Sequence, residues 1–433
     1  MRLYRYDSLD PLRLDALCAR PWTRDSSLSV TVEAICREVK TRGDQALRDY
    51  SRKFDQVSVD VLAVSQAEVD AARDRVSADL IPSMEHAARN IRKFHASQLK
   101  KETRIEIETG VQVWREYRPL ETLGLYVPAG TAPLPSTVLM LGIPAVLAGC
   151  GRIILCSPPQ ADGGVDPAVL VAASSIGIRE IYKVGGAQAI AAMAYGTQSI
   201  PKVDKIFGPG NAYVTEAKRL VSSDPEGAAV DLLAGPSELL LVADETADPW
   251  IVAADLLSQA EHDPQSQVVL VTTCEILASK VIDNVSRQLQ QLPRSATAAQ
   301  ALQNSFVLVV SSLEEAVAFS NRYAPEHLIV NTSDPEELVP RIRHAGSVFL
   351  GPHAPVTAGD YASGTNHTLP TGGTARQCGG VTVESFQKSM TFQSLTHEGL
   401  KGLASTLVRL AMTEGLEAHA RAVLARLESE PAI

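Results

Sequence analysis

The sequence predicts an α/β protein with two units, each built on a parallel sheet, and a small, mainly helical C-terminal tail. Three observations lead to this prediction. From about residue 150, short apolar runs alternate with segments of helical spacing, and the alternation restarts after Gly235. Such alternation builds parallel strands joined by crossover helices. The length, 433 residues, also exceeds one average domain of about 150 residues.

The first α/β unit is predicted over residues 120–235. Its elements follow one another as strand RIILCSPP (152–159), helix DPAVLVAASSIGI (166–178), strand EIYKVGG (180–186), helix AQAIAAMAYG (187–196), strand VDKIFGPG (203–210) and helix NAYVTEAKRLVSS (211–223). The uncharged run before them, 122–151, is long enough to cross a bilayer, but prolines and glycines interrupt it. We therefore predict a buried strand, turns and a short helix there, and no membrane span.

The second unit is predicted over residues 236–376. Its strands are ELLLVAD (238–244), QVVLVTT (267–273), SFVLVV (305–310), HLIVNT (327–332) and SVFLG (347–351), with helices between them at 248–262 and 312–322. Residues 1–119, helical to about 97 and then strand-like, are expected to pack on this unit. The tail, 377–433, begins like an exposed strand and continues as one or two amphipathic helices. Because fewer than 60 residues make a poor core of their own, the tail must dock on the body or on a partner subunit.

Composition excludes several classes of protein. There are 40 Lys and Arg residues against 50 Asp and Glu residues, a net charge of −10, so the chain has no overall positive field to hold nucleic acid. The N-terminus lacks the continuous apolar run of a secretory signal. The 6 cysteines are dispersed without a C-x-x-C pair, which favours a reduced, cytoplasmic protein over a disulfide-bonded one.

Two glycine-rich turns are candidates for phosphate binding. KVGGAQAI (183–190) and IFGPGNAY (206–213) each place glycine between a strand and a helix, where backbone N–H groups and the helix dipole can face an anion. Neither matches G-x-G-x-x-G. Nucleotide binding and a purely geometric use of glycine both remain open.

An adjacent acid and imidazole, Glu326 and His327, stand at the start of a predicted strand. Such a pair suits general acid/base catalysis, but it is equally a strand-capping pair, and ligands of open α/β sheets usually lie at the opposite, carboxyl end of strands. Ser237, in the turn GPSE (235–238), either caps that turn or contacts a ligand. Cys150 and Cys156 lie in apolar sequence and are interpreted as core residues.

A possible metal set is dispersed along the chain. Gln259 and His262 are three residues apart near a helix end and therefore share a face. Asp360, His367 and His419 lie downstream, in a glycine-rich loop and in the tail. Histidine with carboxylate suits zinc, although glutamine is an uncommon ligand. The alternative is a helix-end histidine at 262 and a solvated one at 419.

Together these segments resemble the histidinol dehydrogenase family over nearly the whole chain. The resemblance is carried, in colinear order, by GLYVPAGTAPLPSTVLMLGIPA (124–145), VGGAQAIAA (184–192), FGPGNAYV (207–214), DLLAGPSELL (231–240), DLLSQAEHD (255–263), APEHL (324–328), GDYASGTNHTLPT (359–371) and EGLEAHA (414–420). Many specific sequence segments in the same order are stronger evidence for a family than any single motif.

The resemblance implies a fold, a reaction and a set of site residues. The fold would be two incomplete Rossmann-like, aldehyde dehydrogenase-like units: residues 1–119 with 236–376, an NAD-binding domain at 120–235, and a dimerisation tail at 377–433. The reaction would oxidise L-histidinol to L-histidine through L-histidinaldehyde, with two NAD and one zinc ion per site. The partners would be L-histidinol and a second copy of the chain, whose tail would complete a shared site. By position, the zinc ligands would be Gln259, His262, Asp360 and His419; the catalytic pair Glu326 and His327; the substrate contacts Ser237, Gln259, His262, His327, Asp360, Glu414 and His419; and the NAD contacts Tyr126, Gln188 and Asn211.

Three alternatives remain at this point. The first is a related zinc- and NAD-dependent dehydrogenase acting on another small alcohol. The second is a thiol-dependent aldehyde dehydrogenase, which would require Cys150 or Cys156 as nucleophile. The third is a non-catalytic nucleotide-binding assembly protein, which would bind NAD without reducing it.

Overall fold

A computed structural model describes residues 1–20, 26–100, 103–129, 133–233 and 235–428. Its fourteen strands are β1 (Arg2–Arg5), β2 (Ile105–Glu108), β3 (Val111–Pro119), β4 (Thr122–Tyr126), β5 (Arg152–Ser157), β6 (Glu180–Lys183), β7 (Lys205–Phe207), β8 (Ala229–Val230), β9 (Glu238–Ala243), β10 (Gln267–Thr272), β11 (Phe306–Val309), β12 (His327–Asn331), β13 (Ser347–Leu350) and β14 (Gln387–Leu395).

The same residues form sixteen α-helices. They are α1 (Pro11–Cys18), α2 (Ser26–Arg42), α3 (Asp44–Tyr50), α4 (Gln66–Ala72), α5 (Leu80–Ala96), α6 (Pro135–Ala148), α7 (Pro167–Ser175), α8 (Gly186–Tyr195), α9 (Ala212–Ser223), α10 (Pro249–Ala260), α11 (Glu275–Leu289), α12 (Ser295–Ala301), α13 (Leu313–Tyr323), α14 (Val356–Tyr361), α15 (His397–Thr413) and α16 (Glu417–Glu428).

Two parallel sheets form the body, which confirms the predicted fold class. One sheet has five strands in the order β6-β5-β4-β7-β8, and the other has six in the order β1-β11-β10-β9-β12-β13. Strand order reverses direction between β4 and β7 in the first and between β9 and β12 in the second. Strands β9 and β10 are buried along their whole length, as continuous apolar runs predict for a parallel sheet covered on both faces.

Helix starts follow local capping chemistry. The side chain of Asp248 accepts a hydrogen bond from Trp250 N–H just before α10, and that of Ser312 accepts one from Glu315 N–H before α13. The predicted strands 180–186 and 203–210 end earlier than expected, at Lys183 and Phe207. Their glycines belong to the following turns, because Gly185 is already the N-cap of α8.

A third, antiparallel sheet joins distant parts of the chain, in the order β14-β3-β2. After β14 the tail forms two helices, α15 and α16, which pack against each other. The predicted exposed strand is therefore confirmed for 387–395. Residues 381–386 differ, because Val381, Val383 and Phe386 are buried in the core beside the five-stranded sheet.

The prediction that residues 1–119 pack on the second unit is wrong for most of this segment. Its beginning does pack there, since β1 pairs with β11 at the edge of the six-stranded sheet. Helices α2 and α3 instead cover α8 and α9, and α5 packs on α6, all in the first unit. These helices pack through their apolar faces. The sequence identifies an apolar face, but it does not show which surface of the protein that face packs against.

The uncharged run 122–151 forms β4 and α6, with residues 130–132 of the predicted turns outside the described residues. The helix is longer than predicted and contains Pro144. Across the described ranges, none of the helices combines the length and the apolar character that a bilayer crossing requires.

Candidate active site

The candidate site lies at the amino ends of two neighbouring strands, β9 and β12. Glu326 directly precedes β12 and His327 is its first residue; Ser237 directly precedes β9. The register pairs His327 with Leu239, so parallel pairing brings Ser237 and the Glu326–His327 pair to the same edge of the sheet. Glu326 and His327 are only 6% and 4% exposed, which is rare for ionisable residues without a function or a partner.

The main chain of Glu238 holds both members of the pair. Glu238 N–H donates to Glu326 Oε2 (2.8 Å), and the Glu238 carbonyl accepts from His327 Nδ1 (3.1 Å). Since a carbonyl oxygen can only accept, Nδ1 carries the hydrogen. The other ring nitrogen, Nε2, lies 3.6 Å from Asp360 Oδ1 and has no hydrogen-bond partner among the described residues.

The three ionisable groups shift one another's pKa values. Burial raises the pKa of the Glu326 carboxyl, although the His327 imidazole opposes this. Burial also disfavours protonation of His327, but the carboxylates of Glu326 and Asp360 outweigh it and raise the pKa of His327 to about 10. Burial alone would raise the pKa of Asp360, yet His327, followed by two further imidazoles, lowers it. Concentrated shifts of this kind are typical of functional sites.

Helix α10 brings two predicted metal ligands to the same place. Gln259 lies in its last turn and is 2% exposed, and its buried Oε1 has no hydrogen-bond partner among the described residues. His262 follows the helix end, with its N–H donating to the Gln259 carbonyl (3.3 Å). The His262 ring also contributes to the lowered pKa of Asp360, on α14.

His367 belongs to this cluster, although the resemblance gives it no role. Its Nδ1 contacts the Asp360 carbonyl (3.0 Å) and its Nε2 contacts Thr137 Oγ1 (3.3 Å) on α6, in the other unit. Burial lowers its pKa and keeps the ring neutral. It therefore holds the main chain of Asp360 at the junction of the two units. In the sequence, the only indication of this role is that His367 shares the loop GDYASGTNH (359–367) with Asp360.

Two predicted site residues do not join the cluster within one chain. Glu414 ends α15 and His419 lies on α16, and both are exposed. Within the ranges described, no three His, Cys, Asp or Glu side chains of a single chain are arranged to hold a metal ion.

The predicted NAD contacts gather at the carboxyl edge of the five-stranded sheet. Tyr126 ends β4, and its hydroxyl accepts from Gly186 N–H (3.0 Å) at the start of α8; burial raises its pKa to about 12. Gln188 is buried in the first turn of α8. Asn211 caps α9, accepting from Tyr213 and Val214 N–H at 3.1 and 3.2 Å.

This edge is where nucleotides bind in open α/β sheets. Between β4 and β7 the strand order reverses, and such a reversal leaves a crevice at the carboxyl ends of the strands. Gly208 lines it with φ 131°, and a Cβ there would lie 2.1 Å from the Tyr126 carbonyl oxygen, so the turn after β7 needs glycine. Lys218 supports the turn by donating to the Gly208 carbonyl (3.0 Å) and pairing with buried Asp231.

Both cysteines predicted to be core residues are packed in apolar surroundings. Cys156 is fully buried in β5, and Cys150 packs beside α6. Burial raises the pKa of Cys150 to about 11 and that of Cys156 further. Neither environment favours a thiolate.

Comparison with known proteins gives a single family. The family model described as histidinol dehydrogenase matches residues 18–427. A histidinol dehydrogenase of Vibrio parahaemolyticus is 51% identical over 429 residues, covering 99% of each chain, and one of Aliivibrio fischeri is 51% identical, covering 99% of this chain and 97% of that one. The crystal structure of histidinol dehydrogenase from Elizabethkingia anophelis superposes with a TM-score of 0.96 at 48% identity, over 99% of this chain and 98% of that one. The chain therefore belongs to the histidinol dehydrogenase family of oxidoreductases.

Proposed function

We propose that the chain oxidises L-histidinol to L-histidine in histidine biosynthesis, with NAD as acceptor, through L-histidinaldehyde, and with one zinc ion per site. The observation that carries this proposal is the buried Glu326–His327 pair, whose imidazole Nε2 lies 3.6 Å from Asp360 Oδ1. An acid/base pair next to an incomplete metal-ligand set suits the removal of a proton and a hydride from an anchored alcohol.

The residues present fit a divalent cation. Gln259 Oε1 is a buried acceptor without a hydrogen-bond partner among the described residues, a costly state that a cation would relieve. Gln259, His262 and Asp360 would hold zinc, and His419 of a second copy would complete four ligands. When bound, zinc would anchor the imidazole and amine of histidinol, and NAD would accept hydride.

His327 acts as the base toward the alcohol in this proposal. The Glu238 carbonyl fixes the hydrogen on Nδ1, so Nε2 is the atom that accepts the hydroxyl proton of the alcohol. Hydride leaves the carbon that bears this hydroxyl. Asp360 is one of the two carboxylates that hold a proton on the ring. A divalent cation held by Asp360 would offset the charge of that carboxylate, which would lower the pKa of His327 and let Nε2 accept a proton.

Glu326 activates water for the second half of the reaction. Water adds to the aldehyde as Glu326 takes its proton, and His327 then accepts a hydroxyl proton of the hydrate while the second hydride leaves. The products are a carboxylate, two NADH and the released protons. General-base assistance of each kind is worth about 10²–10⁴-fold in rate.

A second copy of the chain would complete the site. Helices α15 and α16 expose large apolar side chains, including Leu410, Met412 and Leu424, close to Glu414 and His419. A soluble monomer rarely leaves such a surface uncovered. We therefore infer a homodimer in which each tail carries Glu414 and His419 to the other subunit's site. The cysteines are free thiols, which fits a cytoplasmic protein.

The alternatives are weaker on specific grounds. A thiol-dependent aldehyde dehydrogenase needs an accessible thiolate, whereas burial raises the pKa of Cys150 and of Cys156. A non-catalytic NAD-binding protein has no use for a buried carboxylate–imidazole pair. A related enzyme for another small alcohol shares the chemistry, and a panel of amino alcohols separates it from histidinol oxidation.

The test follows NADH formation from L-histidinol before EDTA, after EDTA and after zinc is restored, with metal analysis of each sample. We expect two NADH per histidinol, loss of turnover on chelation and recovery with zinc. His262→Asn should abolish turnover and bound zinc. The matched control is His353→Asn, at an exposed histidine outside the cluster, which should leave both unchanged. Fully active enzyme without a bound divalent ion would contradict the proposal.

A further inference from the structure

A buried ion pair lies directly behind the catalytic pair. Arg20 and Glu238 have side chains only 8% and 2% exposed. Two parallel hydrogen bonds join them, Nε to Oε1 and Nη2 to Oε2, both 2.8 Å. The guanidinium also donates to the carbonyls of Cys18 (2.6 Å) and Tyr323 (2.9 Å) and lies 3.6 Å from the centre of the Tyr323 ring. The guanidinium therefore makes four hydrogen bonds and one cation–π contact.

The other end of Glu238 holds Glu326 and His327. The peptide groups that bind these residues, 238 N–H and 238 C=O, belong to the residue whose carboxylate Arg20 clamps. Gly372 N–H adds a third hydrogen bond to that carboxylate (2.7 Å). The position of the Glu238 backbone is thus fixed from its side chain, at the first residue of β9.

Charge gives the arrangement a second effect. The negative charge of Glu238 acts on the nearby Glu326 carboxylate, and Arg20 neutralises it. A buried ion pair is weak evidence for stability, because apolar residues of similar volume are often as stable or more so. Its value here lies in holding a defined geometry.

We infer that Arg20 and Glu238 are positioning residues for the oxidation, acting through Glu326 and His327. The inference rests on the proposed function, since it assigns no reacting atom to either residue. The Arg20–Glu238 ion pair keeps the Glu238 carbonyl hydrogen-bonded to His327 Nδ1, so that Nε2 stays the proton acceptor. It also keeps Glu326 Oε2 hydrogen-bonded to the Glu238 N–H.

Two conservative variants of zinc-loaded enzyme test the inference. Arg20→Lys keeps the charge and loses the two-pronged geometry. Glu238→Gln keeps the shape and loses the charge. For each we expect kcat to fall at least about tenfold, as displacement of catalytic groups does. KM for histidinol and for NAD should change by less than about threefold, because neither residue contacts a substrate. The control pair is Arg152→Lys and Glu180→Gln, an exposed Arg–Glu pair joined in the same way, where kcat should not change.

A double-mutant cycle separates positioning from general structural damage. If Glu238 acts through Glu326 and His327, then Glu238→Gln added to a variant that carries both Glu326→Gln and His327→Asn should lower the residual kcat by less than about twofold. Additive losses in the cycle would overturn the inference, as would unchanged kcat with a lowered unfolding temperature. If instead Glu326→Gln and His327→Asn themselves retained turnover, the catalytic assignment would fall, and the inference with it.

Discussion

At the scale of single residues, the candidate site is oriented by main-chain groups. His327 and Glu326 make their closest contacts with the peptide of Glu238, and the carbonyl contact fixes which nitrogen of the imidazole is free. A histidine oriented in this way presents one defined proton acceptor to a ligand. Glu326 stands 3.5 Å from Nδ1, on the side of the ring away from Asp360. The two carboxylates flanking the imidazole therefore have different roles.

Glu326→Gln should impair the second oxidation more than the first. The amide oxygen can still accept from Glu238 N–H, so His327 keeps its orientation, but the side chain can no longer take a proton from water. We expect the aldehyde half-reaction to fall about 100-fold or more and the alcohol half-reaction by less than about tenfold. The measurement is single-turnover NADH formation from supplied aldehyde and from alcohol. Equal losses in the two half-reactions would contradict the assignment of water activation to Glu326. The control is Glu336→Gln, at an exposed glutamate, which should change neither half-reaction.

At this scale the sequence shows the adjacent pair and, through the family resemblance, the predicted ligand positions. It does not show Arg20 or Glu238 as parts of the same cluster. Their contacts depend on which strands are neighbours, and the pairing of β9 with β12 joins segments almost ninety residues apart. Local patterns carry no information about that choice.

At the scale of elements, α3 is fastened to the loop that follows α8. Asp44, its first residue, is 6% exposed and accepts from Ser199 N–H (3.2 Å) and Oγ (2.5 Å). Burial works against ionisation of Asp44, but the hydrogen bonds from Ser199 and Thr197 outweigh it and lower its pKa below 3.8. Because the folded-state pKa is the lower one, the ionised carboxylate stabilises the fold at pH values above about 4.

Asp44→Asn should therefore destabilise the protein at pH 7 by about 1–3 kcal/mol. The difference from the native sequence should shrink as the pH falls through the lowered pKa of Asp44, where the native carboxyl also becomes neutral. Thermal unfolding of both proteins between pH 7 and pH 3 measures this. Asp49→Asn, at a half-buried residue of the same helix, should change stability far less. A difference that stays constant over this range would contradict the argument.

The sequence predicts element types well and their ends less well. Every strand that the apolar runs predict in the two units is present in the structure. A parallel sheet that is buried on both faces requires such runs. The predicted carboxyl ends of β6 and β7 lie too far along the chain, because they include glycines that belong to the next turn. Strand β1 was missed, since four residues of mixed polarity at an edge carry little pattern.

At the scale of the whole molecule, the two sheets use opposite edges. The predicted NAD contacts lie at the carboxyl edge of the five-stranded sheet, and the Glu326–His327 pair lies at the amino edge of the six-stranded one. Contact between Thr137 and His367 links the units beside that pair. A cofactor on one unit and a substrate on the other would thus meet at the junction. The sequence predicts the two units and cannot show how they face each other.

Subunit mixing tests whether the sites are shared. His262→Asn and His419→Asn should each abolish turnover as homodimers. Co-expressed, they should form mixed dimers with about half of the native activity, because each mixed dimer has one intact site and one site that lacks both histidines. Turnover is measured on co-purified, doubly tagged dimers. If every site used ligands from one chain only, the mixed dimers would stay inactive.

Strand β1 pairs with β11 although Arg2 and Phe306 lie three hundred residues apart. During synthesis, the first strand leaves the ribosome long before its neighbour exists. At roughly 5–20 residues per second this interval is on the order of 15–60 s. Strand β1 must therefore remain unpaired until β11 has been synthesised, and the sheet that carries the Glu326–His327 pair gains this edge strand only then.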